Sequence, residues 1–271
     1  MPKVVIFSDL DGTLLDHDTY SFQDASEALG LVEAKKIPLV LCSSKTRGEI
    51  QYYRDLLNNK HPFISENGGG IFVPENYFSK GFKYDRETDG YKVIELGTQR
   101  QTLVATLKSI ANETGTEIKG FSEMTPEEIA ELTGLENDLA KLAIERDYSE
   151  PFIIKDEDKN TAPIEKKINL KGYKHTRGGR FHHILGGNDK GVAVEILANI
   201  YKSEFGDIKT VGMGDSLNDL PMLEAVDIPI LVKKQNGEYD PQIRLSNLQY
   251  ADGVGPAGWN SSTLKLFMNF D

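Results

Sequence analysis

Short, wholly apolar runs that stop abruptly at polar clusters govern what this chain can fold into. Val4-Val5-Ile6-Phe7 ends at Ser8-Asp9-Leu10-Asp11-Gly12, Leu39-Val40-Leu41-Cys42 at Ser43-Ser44-Lys45-Thr46, and Phe63-Ile64-Ser65 at Glu66-Asn67-Gly68-Gly69-Gly70. Apolar runs without alternation read as strands buried on both faces, which belong in a parallel sheet covered by helices. Helical spacing over 22–35 (Ala25, Ala28, Leu29, Val32) and a helix over about 47–57 supply part of the cover. The same rhythm returns late in the chain. A helix from Lys190 carries Val192, Val194, Ile196 and Leu197, and the strand Thr210-Val211-Gly212-Met213 runs into Gly214-Asp215-Ser216-Leu217-Asn218-Asp219. Pro221 then marks a helix start, 228–232 a strand, Asn236-Gly237 a turn and 264–270 a closing helix.

The pattern differs between 85 and 185. Strand 91–96, helix 102–114, a further strand, short helices at 126–132 and 139–144, strand 152–155, another helix and strand 181–185 follow one another, and the charged run 155–160 reads as a solvated loop. The expected fold is α/β: a doubly wound, mostly parallel, Rossmann-like core from 1–84 and 186–271, with a smaller α+β unit inserted at 85–185.

In such a sheet the carboxyl ends of the strands share one edge, where ligands bind. Asp9 and Asp11, Ser43 and Ser44, and Asp215 and Asp219 should therefore meet, with Lys190 at a helix start beside them. Converging carboxylates require a cation, and an all-oxygen donor set selects a hard ion such as Mg2+. Such an ion can clamp a phosphoryl group while one carboxylate attacks phosphorus and a neighbouring Asp handles protons. Composition narrows the partners. With 31 basic against 42 acidic residues the formal charge is −11, which argues against a nucleic-acid or anionic-membrane surface and for a small-molecule substrate. The single Cys42 excludes a disulfide framework and fits a reducing compartment. No apolar run approaches membrane-spanning length, and no signal-peptide pattern precedes the first strand, so a cytoplasmic protein is expected, as a monomer or weak homodimer.

Asp9-Leu10-Asp11-Gly12-Thr13, a Ser after the second strand, Asp189-Lys190-Gly191 and Gly214 to Asp219 resemble, in order, the four motifs of haloacid dehalogenase-like phosphatases. The resemblance implies Asp9 as nucleophile, Asp11 as general acid/base, Ser43 rather than Ser44 on the phosphoryl group, and Lys190 neutralising both. It implies Mg2+ on the Asp9 carboxylate, the Asp11 main-chain carbonyl and Asp215, with Asp219 and Asn218 orienting those groups from behind. The inserted unit corresponds to that family's larger cap. A closer resemblance, to mannosyl-3-phosphoglycerate phosphatases, rests on Leu41 to Thr46, Glu66-Asn67-Gly68-Gly69, Arg146-Asp147-Tyr148-Ser149-Glu150-Pro151-Phe152 and Thr176-Arg177-Gly178-Gly179-Arg180-Phe181. It implies hydrolysis of the phosphate monoester to mannosylglycerate, a compatible solute. The glucosyl analogue, another sugar phosphate and a phosphomannomutase-like transfer are the alternatives.

Several residues carry two readings. Arg177 and Arg180, with Gly179 allowing close main-chain approach, could fork onto the glycerate carboxylate or form a basic surface turn. Lys45 could face the substrate or begin a helix. Glu66, Asn67 and Gly68 could bind sugar hydroxyls or simply end a strand. His182 and His183 are adjacent on a strand, so they face opposite ways and are not expected to share a metal. Cys42 and Trp259 read as packing residues.

Overall fold

The computed structural model describes residues 3–178 and 181–268. The strands and helices follow in chain order as β1 (Lys3–Ser8), α1 (Ser26–Ala34), β2 (Leu39–Cys42), α2 (Arg47–Leu56), β3 (Phe63–Ser65), β4 (Gly70–Pro74), β5 (Arg86–Thr88) and β6 (Tyr91–Glu95). They continue as α3 (Arg100–Thr114), β7 (Ile118–Gly120), α4 (Pro126–Thr133), α5 (Asn137–Ile144), β8 (Ser149–Ile154), α6 (Glu157–Leu170), β9 (Lys174–Gly178) and β10 (Phe181–Leu185). The last are α7 (Lys190–Phe205), β11 (Ile208–Gly214), α8 (Leu220–Ala225), β12 (Ile228–Lys233), β13 (Gln249–Val254) and α9 (Gly255–Met268).

The larger sheet has the order β13-β12-β11-β1-β2-β3-β4-β6-β5 and is parallel from β13 to β3. Strand β1 is buried on both faces, as its unbroken apolar sequence requires. Val4 and Ile6 pack with Val32 of α1, Tyr53 of α2 and Trp259 of α9, while Val5 and Phe7 pack with Ala193, Val194 and Leu197 of α7. The chain leaves β1 toward β2 on one side and returns as β11 on the other. This reversal opens a crevice beyond the carboxyl end of β1, and Asp9 sits there.

Strands β4, β6 and β5 extend that sheet antiparallel. The boundary expected at 85 therefore does not follow the sheets: β5 and β6 belong to the core, and the second sheet begins with β7. That sheet, β7-β8-β10-β9, is wholly antiparallel. Leu103, Leu107 and Ile110 of α3 and Ile164 and Ile168 of α6 cover one face, and α4 and α5 pack with Phe121 and Phe181 on the other.

Two further expectations change. The charged run 155–160 is not all loop, since Glu157 begins α6. The closing helix starts at Gly255 rather than 264, so Trp259 lies buried within it. The segment around 176 is a strand, β9, paired with β10. Among the described residues no helix is long and apolar enough to cross a membrane.

Candidate active site

Asp9 leaves β1 with its amide donating to the Met213 carbonyl at 2.9 Å, which locks the two strand ends together. The turn that follows depends on Gly12. Its φ is +76°, and a Cβ there would lie 3.1 Å from Asp215 Oδ2. A side chain would thus be strained by the backbone and crowded by the carboxylate. Lys190 arrives as the first residue of α7, whose N-cap Asp189 accepts the Val192 N–H at 3.0 Å. The β3 loop presses against that helix start at Gly68, where a Cβ would sit 2.1 Å from the Asp189 carbonyl oxygen.

These turns deliver one fully buried ammonium among several acids. Lys190 Nζ donates to Asp9 Oδ1 and to Asp219 Oδ1, each at 2.6 Å. The other Asp219 oxygen accepts the main-chain N–H groups of Asp215 (3.0 Å) and Ser216 (3.1 Å). Both oxygens of Asp219 are therefore engaged, and it holds Lys190 and the β11 loop in place. Among the described residues Asp215 accepts only longer bonds, from Thr13 Oγ1 at 3.3 Å and Ser216 Oγ at 3.4 Å.

The charge balance is uneven. Burial and then the Asp219 charge push Asp9 well above the usual carboxylate range, against the pull of Lys190. Burial and Asp219 likewise push Asp215 up to about 7. Lys190, which burial alone would neutralise, is instead held protonated by Asp219 and Asp9. One lysine cannot satisfy three buried acids. Oxygens of Asp9, Asp215 and Asp219 lie within 4.8 Å of one another. The surplus negative charge and the all-oxygen donors suit a hard divalent cation, with Asp9 and Asp215 as the carboxylates free to hold it.

Asp11 is more exposed and pairs with Lys45, whose Nζ is 3.1 Å from Asp11 Oδ1 and 3.5 Å from Glu49 Oε1. Lys45 is buried near the faces of Tyr20 and Tyr53. Thr46 caps α2 in a reciprocal box with Glu49, so Lys45 both faces the cavity and leads into the helix. Ser44 lines the cavity. Ser43 is fully buried, its hydroxyl accepting the Lys45 N–H at 3.2 Å.

Asn218 lines the cavity and donates to Asn67 Oδ1 at 3.2 Å. Glu66 does not meet the expectation of a sugar-binding group. It is buried, accepts the Asp147 N–H (2.8 Å), the Tyr148 N–H (3.0 Å) and the Ser149 hydroxyl (2.7 Å), and lies 3.6 Å from Arg146 Nε. Its carboxylate ties β3 to the segment entering β8. Gly68 is similarly spent on close packing. Asn67 is buried behind Asn218 and reaches the cavity only through it. Arg177 contributes to the cavity wall but its guanidinium bonds Glu157 Oε1 at 2.5 Å. Gly179 and Arg180 lie outside the described residues.

The cavity holds about 610 Å3 between the two sheets. Two of its buried polar groups were given no role at the site by the sequence reading. Arg146 donates to the Ser44 and Ala143 carbonyls and to the Ser149 hydroxyl, and His183 lines the wall from β10. Arg146 reaches across to Ser44, 102 positions away, and His183 is set on the wall by the pairing of β10 with β8, neither of which local spacing could reveal. His183 does face away from His182, as strand alternation requires. Cys42 is buried, which pushes its thiol up to about 12, and Trp259 donates to Ser8 Oγ at 3.1 Å.

Comparison with known proteins points in one direction. A family model described as haloacid dehalogenase-like hydrolase matches residues 6–239. A Methanococcoides burtonii protein named glucosyl-3-phosphoglycerate/mannosyl-3-phosphoglycerate phosphatase is 48% identical over 264 residues, covering 97% of each chain. A Persephonella marina protein of the same name is 43% identical, again over 97% of each chain. A Pyrococcus furiosus mannosyl-3-phosphoglycerate phosphatase is 39% identical over 84% of this chain and 90% of its own. Among solved structures, a Thermoplasma acidophilum protein superposes with a TM-score of 0.69 at 19% identity, covering 100% of this chain and 98% of its own.

Proposed function

The chain belongs to the haloacid dehalogenase-like hydrolases, and from that membership we propose that it is a Mg2+-dependent phosphatase that converts mannosyl-3-phosphoglycerate, or its glucosyl analogue, to the glycosylglycerate and phosphate. The observation that carries the reading is Lys190 Nζ at 2.6 Å from both Asp9 and Asp219, beside an Asp215 that no cation in the chain contacts directly among the described residues. The names of the relatives support the substrate.

Asp9 and Asp215, with the Asp11 main-chain carbonyl, would hold the ion, which when bound offsets the charge of the phosphoryl oxygens and keeps both carboxylates ionised. Lys190 holds one oxygen of Asp9 and fixes the direction of its carboxylate. The Asp9 carboxylate forms a bond to phosphorus as the ester bond to the glycerate oxygen breaks, and Asp11 gives its proton to that leaving oxygen. Asp11 then takes a proton from water, which attacks phosphorus and releases phosphate and Asp9. Ser43 and Ser44 stand at the β2 strand end to position the phosphoryl group, and Lys45 holds Asp11 toward the cavity. The second sheet acts as a cap over this floor, and Arg177 lies at the wall where the glycerate carboxylate would enter.

A phosphate-release panel with and without Mg2+ tests the reading, with mannosyl- and glucosyl-3-phosphoglycerate, mannose phosphates and sucrose phosphate as substrates. Metal-dependent release highest on a glycosyl-3-phosphoglycerate is expected. A hexose 1-phosphate turned into its 6-phosphate without free phosphate would overturn it in favour of a mutase. Asp9→Asn should lower turnover at least about a thousandfold, and a variant that keeps most of its activity removes the nucleophile assignment.

A further inference from the structure

One buried polar group on the cap wall is used neither by the fold nor by the phosphoryl-transfer chemistry. Along β10, His182 and Ile184 turn toward α3 and α6, where His182 stacks on Phe152 and His175. Phe181 and His183 turn the other way, into the cavity that contains Asp9 and Asp215. His183 is 5% exposed, and its Nδ1 has no hydrogen-bond partner among the described residues. Leaving a buried polar atom unpaired is a net cost to folding, so the fold gains nothing from an imidazole at this point of the cavity wall; a ligand would.

The surroundings specify the chemistry of that ligand. Burial, and then the Arg146 charge, hold the His183 imidazole well below its usual range, so it offers one N–H and one lone pair without charge. Phe121 and Phe181, packed edge to face on each other with ring centroids 4.9 Å apart, line the same cavity, and Pro151 pairs with His183 across β8 and β10. A carboxylate would favour the guanidinium of Arg146 or Arg177. A sugar ring needs apolar surface for its C–H face and uncharged, directional partners for its hydroxyls.

We propose that His183, with Phe121 and Phe181, forms a glycosyl subsite on the cap, in which the imidazole hydrogen-bonds a ring hydroxyl of the substrate's pyranose. The subsite rests on the reading of the substrate as a glycosyl phosphate ester and assigns its specificity to one side chain.

The test compares His183→Phe and His183→Asn with the wild type on glycosyl-3-phosphoglycerate and on p-nitrophenyl phosphate, which has no sugar. His183→Phe should raise KM for the glycosyl ester about tenfold more than for the aryl ester, with kcat less affected, and His183→Asn should recover part of the difference. Equal losses on both substrates, or a glycosyl KM within twofold of wild type, would overturn the proposal. If the wild type prefers a different sugar phosphate, the substrate reading falls but the subsite stands, provided His183→Phe loses selectively on that ester. If the wild type favours no sugar ester over the aryl ester, both fall. Should His183→Phe fail to fold, the imidazole 15N signals of His183 in the wild-type enzyme decide. They should shift on titration with glycosylglycerate, and no shift overturns the inference.

Discussion

Lys190 can be neutralised neither by burial nor by losing one partner, because two aspartates hold it from opposite elements. The imbalance falls on Asp9 and Asp215, which repel each other and Asp219 in a water-poor pocket. Removing one of those charges should therefore relieve the metal-free protein. Asp9→Asn should melt no lower than wild type in chelator, and a drop of several degrees would show that Asp9 is not under repulsion. The pH dependence follows from Asp215. Its folded value, about 7, lies above the ordinary 3.8, so between those limits the native state binds more protons than the unfolded one. Metal-free stability should fall as pH rises through that window. Mg2+ bound at Asp215 would hold the carboxylate ionised and displace its proton, so the gain in melting temperature on adding Mg2+ should grow from pH 5 to 7.5. A constant gain across that range would contradict the placement of the ion at Asp215.

Among the elements, the join between β3 and the segment entering β8 is the one most exposed to a single change. Glu66 satisfies two main-chain N–H groups and a hydroxyl of residues 147–149 at once. Glu66→Ala would leave those donors buried and unpaired and also strand the charge of Arg146, at a cost of roughly 3–5 kcal/mol. Glu66→Gln keeps the shape but cannot accept at both oxygens. Calorimetry should find the order wild type, Gln, Ala, and equal melting temperatures would show that the join is not made in solution. This role was invisible in the sequence because the partners are amides some eighty positions away, and amides leave no mark on residue identity. Asp9, Asp11, Lys190 and Asp215 were legible for the opposite reason, since each follows directly from where its own strand or helix ends. That 86–88 and 91–95 pair into the larger sheet was not legible, because an antiparallel strand's alternation does not say which sheet it joins. Helix α6 was partly missed because its first turn is charged and carries little apolar periodicity.

At the scale of the molecule, the residues gathered at the strand ends come from both sides of an insertion: Asp9 and Ser43 before it, Lys190 and Asp215 after it. The smaller sheet, by contrast, is drawn from one continuous stretch, 118–185. The two crossings into and out of that stretch touch, for a Cβ on Gly186 would lie 2.4 Å from Thr98 Oγ1. This contact has a kinetic meaning. Even with the strands before it in place, pairing β11 with β1 must close a flexible span of about ninety residues until the inserted stretch has structure, at an entropic cost of roughly 4 kcal/mol. Once it has folded, its two ends lie side by side, and the remaining search is short. Substitutions that loosen the α3–α6 face, such as Ile164→Ala or Leu107→Ala, should therefore slow refolding of the distant β1–β11 pair in stopped-flow measurements, although neither touches it. The smaller sheet would then serve during synthesis as the clasp that brings two separated lengths of chain into register before their strand ends have met.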